Sequence, residues 1–385
     1  MTKKKAEAGW NKASYEQRIK ALEKQLKEAK ARGSNVENAE RKAASLENQL
    51  AEMKETLEKA RPLLQENNRL RAKLRAGEGA AEIITEILSG LMEERPRVIK
   101  VSPPQILGGV YRPEEENVAV AHLSDLHLGK ITPSFDSKIA VERLREYGRK
   151  VTRCLKVHNA AMGVQDLRVY MTGDMVEGEQ IFAHQAHEID SSVFEQACFT
   201  CPEALAEIIA SWASVFERVR VVAVPGNHGR NGPKKGPANP RTNWDRVCYR
   251  VLGMLLKSVH NVEIVAPDSF YAVDDVLGSG NLLVHGDQVR GGFAGFPWYG
   301  VGRKALGWID SIPEPWRNLF LGHFHTPVAG RFSGRWWFAN GTLESSNEFA
   351  RSEMASAGTP AQRLTIFNKK HGPIVDLMIN LTAGL

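Results

Sequence analysis

The chain has 385 residues, of which 42% are hydrophobic, 25% charged and 8% aromatic. This length and composition fit two or three globular domains and exclude a wholly disordered, collagen-like or disulfide-stapled chain. The formal net charge of +6 is unevenly spread, because residues 1–80 hold 19 Lys and Arg against 12 Asp and Glu, whereas residues 81–385 hold 32 against 33. The basic character therefore belongs to the N-terminal fifth.

Residues 13–77 are rich in Lys, Glu, Ala, Leu and Gln, and their apolar residues recur at spacings of three and four. One such seam runs from Tyr15 to Ala29 and a second from Val36 to Leu64. The two are out of phase, and the break falls beside Gly33, a residue that suits a helix C-terminal cap. We expect residues 1–77 to form a basic α-helical coiled coil, either as a bent rod or as an antiparallel hairpin.

The arm of residues 1–77 indicates self-association, because an isolated coiled-coil seam needs a partner to bury it. We therefore expect a homo-oligomer. DNA binding is the alternative use of the positive charge, but no basic block exceeds three residues. A helix and a Pro-rich connector are predicted over residues 78–115, and a single large domain over residues 116–385.

The compartment follows from two absences in the sequence. No run of 18 or more apolar residues is present, and no apolar segment follows the basic first residues as in a signal peptide. Four cysteines are too few for a disulfide framework, and Cys198 and Cys201 are better explained as small buried side chains than as a zinc or redox pair. We expect a cytoplasmic protein with no membrane partner.

From residue 117 onwards, strand-like apolar runs alternate with helical stretches, which predicts a layered α/β domain with buried strands. The predicted helices are 141–157, 194–218 and 244–257. The predicted strands are 117–123, 167–171, 219–224, 262–266, 281–284, 318–321 and 336–339, followed by a closing hairpin of 363–367 and 374–380.

Five of these strands are followed at once by side chains that suit metal ions. Ligands of open α/β sheets bind beyond the carboxyl ends of the strands, so we expect the five segments to converge. Carboxylate, imidazole and amide ligands suit Mn²⁺, Fe, Zn²⁺ or Ni²⁺. Each segment is weak evidence alone, but five in order are hard to obtain by chance. They read Asp125-Leu-His127, Gly173-Asp174-Met-Val-Glu177, Gly226-Asn227-His228, His285-Gly-Asp287 and Gly322-His323-Phe-His325.

The ordered set resembles the calcineurin-like metallophosphoesterase superfamily over about residues 117–343, and within it the nuclease subunits of double-strand-break repair complexes and phage phosphoesterases. The resemblance implies a four-layer α/β/β/α sandwich, a β-sandwich flanked by helices, with two divalent metal ions at one edge, Mn²⁺ foremost. It also implies roles for the residues at the strand ends. Asp125, His127 and His325 would bind one ion, Asn227, His285 and His323 the other, and Asp174 both, while His228 would be the catalytic histidine and Glu177 its support.

The implied reaction is hydrolysis of a phosphoester by a hydroxide shared between two ions roughly 3.5–4 Å apart. Two carboxylate ligands would leave the centre at about +2, which attracts phosphate to a nearly neutral domain. Protein phosphatases of the superfamily follow the second motif with an arginine, and residues 173–179 lack one. The third motif is followed by Gly229 where an acidic residue is usual.

These departures favour a phosphodiesterase or nuclease acting on DNA or RNA. A phosphomonoesterase or small-nucleotide phosphodiesterase with the same centre is the first alternative, and a metal-stabilised scaffold that recruits a partner is the second. Arg230 and Arg241, in a loop rich in Gly and Pro, are expected substrate contacts. Trp244 could stack on a base, or pack in the core as aromatic residues usually do.

Overall fold

In the computed structural model, the chain divides into two units, Met1–Gly79 and Ala80–Leu385. The predicted cap at Gly33, most of the second seam and most of the connector lie outside the described residues. The structure describes residues 12–31, 44–51, 54–55, 58, 86, 88–90, 99, 101–105, 115–179, 181–182, 185–232, 239–290, 296–345 and 360–382.

In the N-terminal unit, helix α1 spans Lys12–Ala31, and residues 44–51 are also helical. The seam residues Ile19, Leu22 and Leu46 are buried within the single chain. Glu23 and Lys54 form an ion pair of 2.8 Å. A continuous helical rod would separate them by about 46 Å, so the contact favours a chain that folds back as a hairpin.

The larger unit alternates strands and helices, as predicted. A short α-helical turn (Val193–Glu195) and a π-helical segment (Gln196–Thr200) lead directly into α3. The elements in chain order are β1 (Asn117–Leu123), α2 (Ser137–Met162), β2 (Asp166–Met171), α3 (Cys201–Ala213), β3 (Arg218–Ala223), α4 (Trp244–Leu255), β4 (Val262–Val265), β5 (Tyr271–Val276), β6 (Ser279–Val284), α5 (Trp298–Ser311), β7 (Asn318–Leu321), β8 (Val328–Phe332), β9 (Arg335–Ala339), β10 (Ala361–Asn368) and β11 (Gly372–Asn380).

The strands form two sheets. The first has the order β11-β10-β1-β2-β3-β4, and the second has the order β5-β6-β7-β9-β8. Strands β1 to β4 are parallel in the first sheet, as are β6, β7 and β9 in the second. The carboxyl ends of the parallel strands therefore lie together at one edge of each sheet.

Three hydrophobic clusters separate four layers. The first lies between the first sheet and helices α2, α3 and α4, and the last lies between the second sheet and α5. The middle cluster packs one sheet on the other. Strand β1 shows why the runs are apolar throughout: Val118 and Val120 enter the middle cluster, while Ala119, Ala121 and Leu123 face the helices. The predicted four-layer α/β/β/α class is confirmed.

Every predicted strand is found, with ends within two residues of those predicted, and the closing hairpin is β10 and β11. Strands β5 and β8 and helix α5 were not predicted.

Cys198 and Cys201 are buried, as the sequence predicted, and neither forms a disulfide. In the described part of the chain, no helix is long and apolar enough to span a bilayer.

Candidate metal centre

The five strand-end segments meet where the two sheets present their carboxyl ends. The loops after β1 and β2 run side by side and are joined through the backbone. The Asp125 N–H donates to Gly173 O at 3.0 Å, and the His127 N–H donates to Asp174 O at 3.1 Å. The Glu177 N–H returns a bond to Leu128 O at 2.9 Å. This continuation of parallel pairing beyond the sheet fixes the position of the first two segments relative to each other.

The backbone of the site has positive φ angles, a conformation that residues other than glycine rarely adopt. Of the seven non-glycine residues with positive φ in the described chain, five belong to the strand-end segments. Each such residue costs about 1–3 kcal/mol and persists only where its surroundings hold it. They are Asp125 (φ 54°), His127 (48°), Asp174 (55°), His323 (70°) and His325 (53°).

One group of ligand-type atoms comes from Asp125, His127 and His325, and these atoms lie within 4.8 Å of one another. His127 Nε2 lies 3.0 Å from His325 Nε2, which in turn lies 3.3 Å from Asp125 Oδ1. His127 Nδ1 lies 2.8 Å from Glu177 Oε2, and His325 Nδ1 lies 3.6 Å from Glu344 Oε2. A carboxylate thus faces Nδ1 of each imidazole.

A second group comes from Asp174, His285 and His323. His285 Nε2 lies 3.0 Å from Asp174 Oδ2 and 3.0 Å from Asn227 Oδ1. His285 Nδ1 lies 2.7 Å from the carbonyl oxygen of Thr172. The backbone N–H of His323 donates to the Asp125 carboxylate at 3.0 Å, so the second group is tied to the first.

The donor set fits divalent cations. When Nδ1 donates its proton to a carboxylate or carbonyl, Nε2 is left with a lone pair, as in most protein metal sites. His127 Nδ1 is bonded to Glu177, so the lone pair of its Nε2 is available to a cation. The buried carboxylates Asp125 and Asp174 supply the negative charge that hard and borderline cations require.

His228 lies against these groups and is held by Glu177. Its Nδ1 lies 3.1 Å from both the carbonyl oxygen and Oε2 of Glu177. Its backbone N–H donates to Asp174 Oδ1 at 2.7 Å. His228 and His127 are in edge contact, with ring centroids 4.5 Å apart. The predicted pairing of Glu177 with His228 is present, and the same carboxylate also engages His127.

Neighbouring charges outweigh burial at most of the titratable groups of this cluster, but not at His323. Burial alone would lower the pKa of His228, but the Glu177 and Asp174 carboxylates outweigh it and raise that pKa to about 9. For His285 burial is likewise outweighed by Asp174, and its pKa rises to about 10. Burial and the neighbouring His285 lower the pKa of His323 to about 3. The pKa values of Asp174 and Glu177 lie well below their ordinary range despite burial, because His285 and His228, respectively, stabilise the charged forms.

Asp245 supports the site and was not predicted. Its fully buried carboxylate accepts the backbone N–H groups of Asp174 (2.9 Å), Met175 (3.0 Å) and Gly226 (2.8 Å). It thereby joins the loops after β2 and β3. Burial, with the nearby charge of Asp174, raises its pKa to about 6. Asn243-Trp244-Asp245 reads in the sequence only as the capped first turn of a helix.

Two glycines allow the loops to approach. A Cβ at Gly226 would lie 2.1 Å from Asp174 Oδ1, and a Cβ at Gly322 would lie 2.0 Å from Ser124 Oγ. Any side chain at Gly226 would therefore displace Asp174, and one at Gly322 would press on the segment that carries Asp125. The Gly of Gly226-Asn227 and of Gly322-His323 is a packing requirement of the site.

The predicted substrate contacts are distributed differently from the ligand residues. Arg230 is mostly buried and forms an ion pair of 3.0 Å with Asp287 of the fourth segment. Arg241 is exposed and lies 3.8 Å from Asp268. Trp244 is partly buried and packs against the helix-side core, which is the alternative that the sequence left open. Their roles toward a substrate remain predictions.

No protein-family model matches this sequence, and no curated protein matches it. Solved structures do match. A conserved protein of Streptococcus pneumoniae, described as a predicted phosphoesterase, is 13% identical with a TM-score of 0.29, covering 69% of this chain and 98% of its own. The zinc complex of Vps29 from Entamoeba histolytica is 13% identical with a TM-score of 0.32, covering 69% and 99%. An archaeal phosphodiesterase is 9% identical with a TM-score of 0.32, covering 68% and 99%.

Similarities this weak carry no functional argument, so the class of protein rests on the chain's own geometry. The larger unit is a four-layer α/β/β/α sandwich whose strand ends form adjoining groups of metal-ligand type. The four-layer sandwich and the convergence of the five segments at one edge are what the resemblance to calcineurin-like metallophosphoesterases implies.

Proposed function

We propose that this chain is a divalent-metal-dependent phosphodiesterase that hydrolyses DNA or RNA. The observation that carries the proposal is the place of Asp174 between the parts of the site. Its Oδ2 lies 3.0 Å from the ligand atom of His285, and its Oδ1 accepts the backbone N–H of His228 at 2.7 Å. A histidine suited to proton transfer is therefore fixed directly beside the candidate ligands.

We assign two cations to the site, with Mn²⁺ as the first choice. Asp125, His127 and His325 would hold one, and Asn227, His285 and His323 the other, with Asp174 shared. When bound, such cations supply the positive charge that binds phosphate oxygens and activates water.

His228 would act as the general acid. Glu177 occupies its Nδ1, so Nε2 is the nitrogen that can transfer a proton to the leaving oxygen. The carboxylates of Glu177 and Asp174 favour the protonated ring, which is the form that a general acid needs. This arrangement serves cleavage of a phosphoester with a poor leaving group, such as the sugar hydroxyl of a nucleic acid.

The basic side chains by the site favour a diester over a monoester. A phosphomonoester carries a second negative charge, which needs additional positive charge. Lys130 is paired with Glu344 at 2.8 Å, and Arg230 is paired with Asp287 at 3.0 Å. The positive charges of these two side chains are therefore already paired with carboxylates, so the arrangement suits the single negative charge of a diester.

The test compares wild type with His228→Ala, both loaded with Mn²⁺, on p-nitrophenyl phosphate, bis(p-nitrophenyl) phosphate and linear single-stranded DNA. We expect wild type to favour the diesters, and the variant to keep its metal while its rate falls by roughly 10²–10⁴-fold. Faster turnover of the monoester would replace the proposal by a phosphomonoesterase. Equal rates in the two proteins would remove His228 from the mechanism.

A further inference from the structure

Phe182 is an exposed aromatic ring beside the candidate general acid. Its ring centroid lies 5.5 Å from that of His228, with the planes inclined at 53°. The side chain is 42% exposed. An apolar ring of this size, exposed at the margin of a charged and polar cluster, offers a flat surface to whatever occupies the site.

The backbone at Phe182 is tied to the catalytic candidates by the buried side chain of Gln185. Its Oε1 accepts the N–H groups of Ile181 at 2.9 Å and Phe182 at 3.4 Å. Its Nε2 donates to the carbonyl oxygen of Glu177 at 2.6 Å and to Glu177 Oε1 at 3.2 Å. Gln185 therefore positions Phe182 and also bonds Glu177, the residue that holds His228.

We propose that Phe182 stacks on a nucleobase next to the scissile phosphate and selects unpaired nucleotides as substrates. The inference rests on the proposed function and narrows its substrate class. A nucleotide joins its base to its phosphate through one sugar, and Phe182 stands one imidazole ring away from the ligand groups.

The faces of a base are free only when the base is not stacked in a duplex. Aromatic side chains bind unpaired bases with little regard to sequence, because every base has a π-face. The chemistry shared by a single strand and a free nucleotide is a base linked to a phosphate. Both belong to the proposed class, and a duplex without frayed ends does not.

The test measures the binding of two fluorescent oligonucleotides of equal length and charge, a ten-thymidine strand and an abasic ten-mer, by anisotropy with Mn²⁺ and again with EDTA. Phe182→Leu retains apolar bulk against His228 but removes the aromatic face. We expect it to weaken binding of the thymidine strand by ~5- to 100-fold while the abasic strand binds as to wild type. Phe182→Trp should restore the difference.

Phe194 supplies the matched control, because it is 41% exposed and its ring contacts Phe199, 5.6 Å away. Phe194→Leu should change neither affinity. Equal losses for both strands in Phe182→Leu, or no loss for either, would overturn the stacking role.

Competition with thymidine 5′-monophosphate distinguishes the two sources of a base. If Phe182→Leu weakens the mononucleotide as much as the strand, the ligand is a single nucleotide unit. If it weakens only the strand, the ligand is a single-stranded nucleic acid. Failure of Mn²⁺-loaded wild type to cleave any diester would overturn the proposed function separately, since base-dependent binding is measured without turnover.

Discussion

Oε2 of Glu177 lies 3.1 Å from Nδ1 of His228, and the same oxygen lies 2.8 Å from Nδ1 of His127. One buried carboxylate therefore orients a candidate metal ligand and the candidate general acid together. Metal binding through His127 and proton transfer by His228 both depend on Glu177, so a substitution of Glu177 should affect both.

Glu177→Gln should weaken Mn²⁺ binding by roughly 10- to 100-fold, because His127 loses the negative charge that makes its Nε2 a stronger donor. Titration of the protein with Mn²⁺, followed by electron paramagnetic resonance of the free ion, measures the change. Glu188→Gln, at an exposed position outside the ligand segments, is the control. An unchanged affinity in Glu177→Gln would show that His127 does not depend on this carboxylate.

Asp245→Asn should destabilise the fold by about 2–4 kcal/mol. The amide can accept through one oxygen only, so at least one of the N–H groups of Asp174, Met175 and Gly226 is left buried without a partner. Urea unfolding measures the loss, with Asp310→Asn at an exposed position of α5 as control. A loss no larger than that of the control would contradict the role of Asp245.

Gly226→Ala should reduce both stability and metal binding, because the new Cβ would lie 2.1 Å from Asp174 Oδ1. Overpacking of this kind typically costs ~1–3 kcal/mol. Gly253→Ala is a sharp control: that glycine is inside α4, and nothing lies within 4 Å of its added Cβ. Helix propensity predicts that Gly253→Ala is stabilising by ~0.5–1 kcal/mol, so thermal unfolding should shift in opposite directions for the two variants.

His122 should make the folded protein less stable as the pH is lowered. It is fully buried, and burial, reinforced by the charge of Arg363, lowers its pKa from 6.5 to about 3. Above pH 6.5 the ring is neutral in both states and contributes no pH dependence. Below it the unfolded chain takes up a proton that the native chain refuses until about pH 3, so stability is lost as pH falls through this window.

The measurement is the free energy of unfolding of wild type and His122→Leu at pH 7 and pH 5. Between these values wild type should lose about 2 kcal/mol more than the variant. Only the difference in slope is diagnostic, since other groups titrate equally in both proteins. Parallel slopes would contradict the burial of a neutral ring at this position.

The sequence predicted the ligand segments because each one interrupts an apolar run with polar residues at the point where a strand ends. It did not predict β5, in which Asp274 and Asp275 hide the apolar pattern, or β8, an exposed edge strand with Gly330 and Arg331. Helix α5 carries three glycines within Trp298–Ser311, which lowers its helix propensity, and only packing on the second sheet reveals it.

The supporting residues could not be predicted, because their importance arises from contacts distant in sequence. Asp245 acts on Asp174 and Gly226, and Glu344 faces His325 while pairing with Lys130. Neither residue belongs to a motif. Their partners are set by how the loops meet after the sheets have packed.

The ligand groups draw on both sheets: Asp125 and Asp174 follow strands of the first, while His285, His323 and His325 follow strands of the second. Elsewhere the sheets are held together by packing across the middle cluster and by polar contacts, such as the hydrogen bond from Tyr170 to Asp274 and the ion pair of Arg220 with Asp274. A cation at this edge would be bound by residues from both sheets. The affinity of the site for metal and the stability of the contact between the sheets would therefore be thermodynamically linked.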